Sequence, residues 1–438
     1  MGHWLFNDLI TNDLMPLSFG GVMALDQLLS HRINRRQLLL KGGAVFVACA
    51  AGCDFLSSCA PMAPRREEPA PPLPPGEQRD KAIDDFFETN LGVRRNERVL
   101  VFTDDQNPVV AREAQYVAKR GSAFAEIIFL RYPRVGPSAA EPPKELWEKA
   151  FGNKITRELE EKSLMRKMLQ KKIEDKEFEA ASGIVRANKN GVVDAVIGLA
   201  WTSTSHTFFQ RLLTDAAHAR FASMPAFNPG LWQTAMSADW RQLERRTAAL
   251  KDTLSGAISA RIQIPNGTNL SLALRGRDFM ADTRLLNQPG RFGNLPSGEV
   301  SVAPVEGASR GKMVIEPGLN PGIKIQSTLE VREGKVAKMS GDTGTLSWLE
   351  SIFYKYPQAR TLGEFSVGTN DRAKVGANLV ESEKALGIIH VALGDNRSIG
   401  GKISVPFQLD LLFQHATVEI TFPDGRNMTM MKDGDLLS

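Results

Sequence analysis

The spacing of apolar residues changes period near residue 260, and that change limits what the chain can fold into. Before it, short apolar runs alternate with stretches spaced like helices; after it, apolar and polar residues alternate one by one between tight turns. Alternating strand and helix favours a parallel sheet with helices on its faces, whereas period-two strands joined by hairpins build antiparallel layers. The sequence therefore predicts an α/β N-terminal domain with a parallel sheet over 81–260 and a β-rich α+β C-terminal domain over 261–438. A leader (1–59) and a proline-rich linker (60–80) precede them.

Local signals fill in this outline. Val99-Leu100-Val101-Phe102 reads as a buried strand, and Asn107 followed by Pro108 supplies a helix N-cap and first-turn proline. Ala111, Ala114, Val117 and Ala118 continue that helix until Lys119-Arg120-Gly121 closes it. Strands are expected at 124–130, 192–200 and 221–224, with a helix over 207–219. The mixed-sign charges of 155–181 predict one solvated helix, and Trp240, Leu243, Thr247, Leu250, Leu254 and Ala257 predict a helix over 238–260 that bridges the two halves. Beyond it, Asn266-Gly267, Glu333-Gly334 and Asp424-Gly425 mark turns.

Composition excludes several functions. With 54 Lys+Arg against 50 Asp+Glu and only 7% aromatic residues, there is no basic stripe with interleaved rings, and nucleic acid is not an expected partner. All three cysteines, Cys49, Cys53 and Cys59, precede residue 60, so the body of the protein offers no thiolate for a zinc finger, an iron–sulfur cluster or a cysteine nucleophile. Any metal there must rest on carboxylates, amides and four histidines: His206, His218, His390 and His415.

The leader has its own pattern. Arg35-Arg36 precede an uncharged apolar stretch too short to span a bilayer, for which about 20 residues are needed. The layout resembles a twin-arginine export signal, and Ala50-Ala51-Gly52-Cys53 and Leu56-Ser57-Ser58-Cys59 each resemble a lipoprotein cleavage box. The expectation is an exported lipoprotein on the periplasmic side of the membrane, lipidated at Cys53 or Cys59.

Two apolar stretches carry misplaced polar groups. Pleated strands send i and i+2 to one side, so Gln408 and Asp410 share a face opposite Phe407, Leu409 and Leu411. The same rule sets His390 beside Ile388 and Ala392, opposite Ile389, Val391 and Leu393. Burying such groups costs several kcal/mol unless a cation, an ion pair or hydrogen bonds compensate. Elsewhere Ser205-His206-Thr207 reads as a helix cap or a substrate-side loop, Asp104-Asp105 as loop acids, and His218 and His415 as structural.

The stretches Asn294-Leu295-Pro296-Ser297-Gly298-Glu299, Leu362-Gly363-Glu364 and Glu383-Lys384-Ala385-Leu386-Gly387-Ile388-Ile389-His390 resemble, in order and context, motifs of the aminopeptidase T and aminopeptidase S metallopeptidases. The resemblance extends over about residues 85–435. It implies a metal-activated water that removes N-terminal residues from peptides, divalent ions such as zinc, cobalt or manganese, and a homodimer. It assigns Glu299, Glu364, His390 and Asp410 as metal ligands, with Glu299 or Glu364 as proton shuttle. Two positions depart: Gln408, a weaker oxygen ligand for metal, stands where the closing histidine is expected, and Arg397 lies where a tyrosine is expected, suited to an oxyanion or a substrate carboxylate. A related group with similar motifs, the iron-dependent dihydroxypyridine ring-cleaving dioxygenases, implies an alternative activity. A catalytically impaired, ligand-binding lipoprotein of the same fold is a third.

Overall fold

The structure, a computed structural model, describes residues 75–437 except 137, 321 and 377. The expected leader, with Cys53 and Cys59, lies outside the described residues. Among these, no helix is long and apolar enough to cross a membrane.

In chain order the strands are β1 (Arg98–Asp104), β2 (Glu126–Tyr132), β3 (Ala195–Gly198), β4 (Arg220–Ser223), β5 (Ser259–Gln263), β6 (Asn269–Ala273), β7 (Met280–Asp282), β8 (Phe292–Asn294) and β9 (Glu299–Val302). They continue with β10 (Arg310–Ile315), β11 (Ser327–Arg332), β12 (Lys335–Ser340), β13 (Leu362–Gly368), β14 (Ile389–Gly394), β15 (Gln408–Phe413), β16 (Thr417–Thr421), β17 (Asn427–Lys432) and β18 (Asp435–Leu436).

Three sheets result. The first is parallel throughout, in the order β2-β1-β3-β4-β8. Its alternate residues enter two different cores: Val99, Val101 and Ile197 pack towards the helices Pro75–Asp85 and Pro108–Gly121, whereas Leu100, Phe102 and Phe221 pack towards Lys144–Glu161 and the helical turn at Phe208–Arg211. Covering both faces explains why these strands read as unbroken apolar runs. The other two sheets are antiparallel: an eight-stranded one ordered β12-β11-β10-β6-β5-β16-β17-β18, and a five-stranded one ordered β15-β14-β13-β9-β7. They share a single core, in which Ile262, Leu270, Met313 and Val418 of the larger sheet meet Val300, Phe365, Val391 and Leu411 of the smaller.

The α/β and β-rich architecture is thus present, with local differences from the sequence reading. β8 returns the chain to the parallel sheet after residue 260, pairing with β4. The stretch 155–181 is not one solvated helix: Ser163 and Lys171 take positive φ and break it, and Ile155, Leu159, Met165 and Met168 are buried. Residues 75–80 of the expected linker open a helix, fixed where Asp80 meets Arg120 Nη1 at 3.0 Å and accepts from the Tyr116 hydroxyl. The bridging helix is Trp240–Leu254; Trp240 and Leu243 enter one core, Leu250 and Leu254 another.

Candidate metal centre and cavity

The smaller antiparallel sheet has two unlike faces. Register places Asp282 beside Glu299, Ser301 beside Ser366, Ser366 beside His390, Ala392 beside both Glu364 and Asp410, and Gly394 beside Gln408. These residues therefore share one face, while the opposite face is the apolar core shared with the larger sheet. A β-bulge between Leu362 and Glu364 adjusts the register: Leu362 pairs with Leu393 and joins the apolar side although it is two residues from Glu364. Gly363 permits this close approach, since a Cβ there would lie 2.8 Å from the Gly394 carbonyl oxygen.

On the polar face, the side chains of Glu364, His390 and Asp410 bring ligand atoms within 4.8 Å of one another. His390 Nε2 lies 3.7 Å from Glu364 Oε1 and 3.9 Å from Glu299 Oε2. Gln408 Nε2 donates to Glu364 Oε2 at 2.9 Å and to Asp410 Oδ1 at 3.2 Å, so one amide ties two carboxylates. Ser366 Oγ lies 2.7 Å from both Glu364 Oε1 and Ser301 Oγ. Burial alone would lower the His390 pKa, but the Glu364 hydrogen bond and the charges of Glu299 and Asp410 outweigh it and hold the imidazole at about 9.

Sequence reasoning missed Lys384. This buried ammonium donates to Glu299 Oε1 at 2.5 Å and lies 2.9 Å from Glu383 Oε1. Burial opposes its charge, yet Glu299, Glu383 and Asp282 together raise its pKa. Burial also pushes the Glu383 carboxyl up, to about 7, against the pull of Lys384. The available signal was an adjacent Glu-Lys pair leading into an apolar strand, where a charge needs an internal partner.

A cavity of about 620 Å³ opens onto this face. Glu299, Glu383, Lys384, Gln408 and Asp410 line one side; Ser203, Ser205, His206 and Asn294, from the C-terminal ends of the parallel strands, line the other. That edge is where open α/β sheets place ligands. Thr207 caps the turn that follows, its hydroxyl accepting from Gln210 N, as the capping alternative expected, while Ser205 and His206 line the cavity. Arg397 does not reach the site: it is exposed, in a short 3-10 turn, and absent from the cavity wall. The 3-10 turn that carries it comes after the end of β14, which position-counting from His390 cannot reveal. Asp104 is structural, accepting from Trp201 N, Thr202 N and the Thr202 hydroxyl.

The residues present fit one divalent cation. Among the described residues, Asp282, Glu299, Glu364, Glu383 and Asp410 gather about Lys384, Arg284 and the imidazole, an excess of negative charge in a buried place. Glu299 Oε2 and His390 Nδ1 have no hydrogen-bond partner among the described residues. Glu364, His390 and Asp410 would hold the ion, with Gln408 anchoring two of these carboxylates through its amide nitrogen.

Residues 231–438 match the family model described as NicX, 2,5-dihydroxypyridine 5,6-dioxygenase. Among solved structures, 2,5-dihydroxypyridine dioxygenase from Pseudomonas putida KT2440 is similar at 18% identity and a TM-score of 0.59, over 84% of this chain and 99% of that chain. AmpT from Thermus thermophilus aligns at 16% identity and a TM-score of 0.49, over 83% of this chain and 100% of that chain. No curated protein sequence matches. The likeness to the Pseudomonas structure shows a common fold, and the family-model match falls to the dioxygenases that the motifs resembled second, not to the aminopeptidases they resembled first.

Proposed function

We propose that the chain is an enzyme using one divalent cation, held by Glu364, His390 and Asp410, on a small organic substrate in the 620 Å³ cavity. The carrying observation is Lys384. Its ammonium engages Glu299, a carboxylate that the peptidase resemblance assigns to metal, and so puts a fixed positive charge beside the cluster where a second ion would have to sit. Two like-signed cations in one buried pocket repel strongly.

A single-cation site favours cleavage of a hydroxylated aromatic ring, the activity named for the matched family model and for the Pseudomonas structure. Bound metal would supply Lewis acidity at a substrate oxygen and, if iron, a redox couple. The chain's own groups do the rest. Gln408 fixes the two carboxylates it bridges, and Lys384 pairs with Glu299. Glu383, with its pKa near 7 and its place on the cavity wall, can hold or release a proton at neutral pH. The second reading, peptide hydrolysis, is supported by the motif resemblance and asks for the second ion.

Metal titration with oxygen uptake tests this. One equivalent of Fe2+ or Mn2+ should bind, and the iron form should consume oxygen with 2,5-dihydroxypyridine. Two bound equivalents, with chelator-sensitive cleavage of aminoacyl anilides, would select the peptidase instead. Gln408→His adds an imidazole beside Asp410 and should tighten metal binding by about 10–100-fold; unchanged affinity would show that residue 408 lies outside the coordination sphere.

A further inference from the structure

The cavity carries a second recognition element where the chain passes from β7 of the metal-bearing sheet to β8 of the parallel sheet. Arg284 follows β7 with a positive φ of 37°, and its aliphatic stem lies across β8. Gly293 makes room for it: a Cβ at 293 would sit 2.4 Å from Arg284 Cδ. The guanidinium is then held on two sides, Nε against Asp282 and Nη1 donating to the Phe292 carbonyl at 3.1 Å. Its remaining nitrogen, Nη2, donates to no group among the described residues, and the side chain, 34% exposed, lines the cavity.

Asn294 stands next to Gly293 and lines the same cavity. Its Oδ1 accepts from Ser205 Oγ at 3.0 Å, and Ser205 is fixed in turn by Ser203 and Ser223, each hydroxyl at 2.9 Å. With its oxygen so committed, the amide keeps its Nδ2 hydrogens for a ligand. A guanidinium and an amide that both retain donors on one wall match an acceptor with two oxygens and a negative charge. Of the charged groups on the cavity wall, Asp282 forms an ion pair with Arg284, Glu141 accepts from Phe208 N and Phe209 N, and Lys171 donates to the Ala139 carbonyl. The same cavity is lined by Leu379, Val380, Val405 and Pro406, which suit an apolar body.

We propose that Arg284 and Asn294 form a carboxylate-binding subsite, so that the preferred substrate is an organic anion that carries, besides the ring meeting the metal cluster, an acid group held on the parallel-sheet side, which 2,5-dihydroxypyridine itself lacks. This rests on the reading of the cavity as the substrate site. It does not depend on which reaction follows.

Calorimetry on the metal-free full chain with two probes of one shape, 4-hydroxybenzoate and 4-hydroxybenzamide, tests it. Wild type should bind the anion about tenfold or more tightly than the amide. Arg284→Gln should abolish the preference, Asn294→Ala should reduce it, and Gly293→Ala should reproduce the loss by displacing the Arg284 stem. Mn2+ titration of each variant checks that the protein is folded and reports the metal cluster separately, so an anion preference without metal binding would overturn the metal reading alone. Equal binding of the two probes by wild type, no binding of either, or a preference that survives in a folded Arg284→Gln protein would overturn the subsite.

Discussion

The parallel sheet and the smaller antiparallel sheet are both buried, yet they tolerate opposite chemistry. β1, β3 and β4 are covered on both faces and are apolar apart from their ends, whereas β9, β13 and β14 are equally covered and carry Glu299, Glu364 and His390. Burial is common to both and so does not explain the difference. What separates them is compensation: each acid of the antiparallel sheet faces a cation, an amide or another strand's donor, and the parallel strands offer no such partner mid-strand. A charge inside a covered strand is therefore the mark of chemistry, provided its partners come from other strands of the same face.

The largest effect should come from moving a charge across that divide. Ile197→Asp places a carboxylate in β3, wholly buried and without a cation nearby, and should leave no folded protein by circular dichroism or soluble expression. A folded, soluble variant would show that the first sheet accommodates charge as the second does. Next comes Lys384→Met, which strips Glu299 and Glu383 of their counter-charge and should cost about 3–5 kcal/mol in urea unfolding without metal. Removing the fixed cation should also let a second equivalent of Mn2+ bind and recover part of the loss. A variant as stable as its parent, with one-ion stoichiometry, would remove Lys384 from the argument.

Much of this arrangement was legible in the sequence, and the reason is periodicity. The alternation in 388–393 and 407–411 assigned His390, Gln408 and Asp410 to their faces, and Asn266-Gly267 and Asp424-Gly425 gave the hairpins β5–β6 and β16–β17. Other features depend on tertiary pairing that no local pattern encodes. The bulge at Gly363 reverses the face of Leu362 through its pairing with β14, β8 is three residues long and gains its place only from β4, and Arg284 reaches the cavity because Gly293 lies under it. Lys384 was overlooked because its partner, Glu299, is 85 residues away. Arg397 was chosen by counting from His390, and counting fails once β14 ends and the chain turns outward.

A smaller effect is the pH dependence of the metal-free protein. His390 is raised from its ordinary 6.5 to about 9 and Glu383 from 4.5 to about 7, so the folded chain binds more protons than the unfolded one between roughly pH 4.5 and 9. The stabilisation from protonated His390 is complete below about 6.5 and is lost as pH rises through 9; ionising buried Glu383 lowers stability in the same direction at lower pH. Urea midpoints in chelator should therefore fall from pH 5 to pH 9. Saturating Mn2+ should flatten that decline, since a bound cation takes the place of the protons and holds its ligands deprotonated. A midpoint that rises with pH in chelator would mean that the acidic face is compensated by something other than His390 and Glu383.

The smallest effect belongs to Arg397. Its side chain is exposed and off the cavity wall, so it adds nothing to the polar face that separates the two sheets. Arg397→Ala should change unfolding free energy by no more than about 0.5 kcal/mol and Mn2+ affinity by about twofold at most. Arg284→Gln is the informative contrast, because the two arginines differ in place and not in chemistry: one sits in the turn after β14 and is exposed to solvent, the other lies over a glycine and faces the cavity. Should Arg397→Ala weaken turnover by tenfold or more while Arg284→Gln leaves it unchanged, the cationic wall would have to be moved from the parallel-sheet side to the loop after β14.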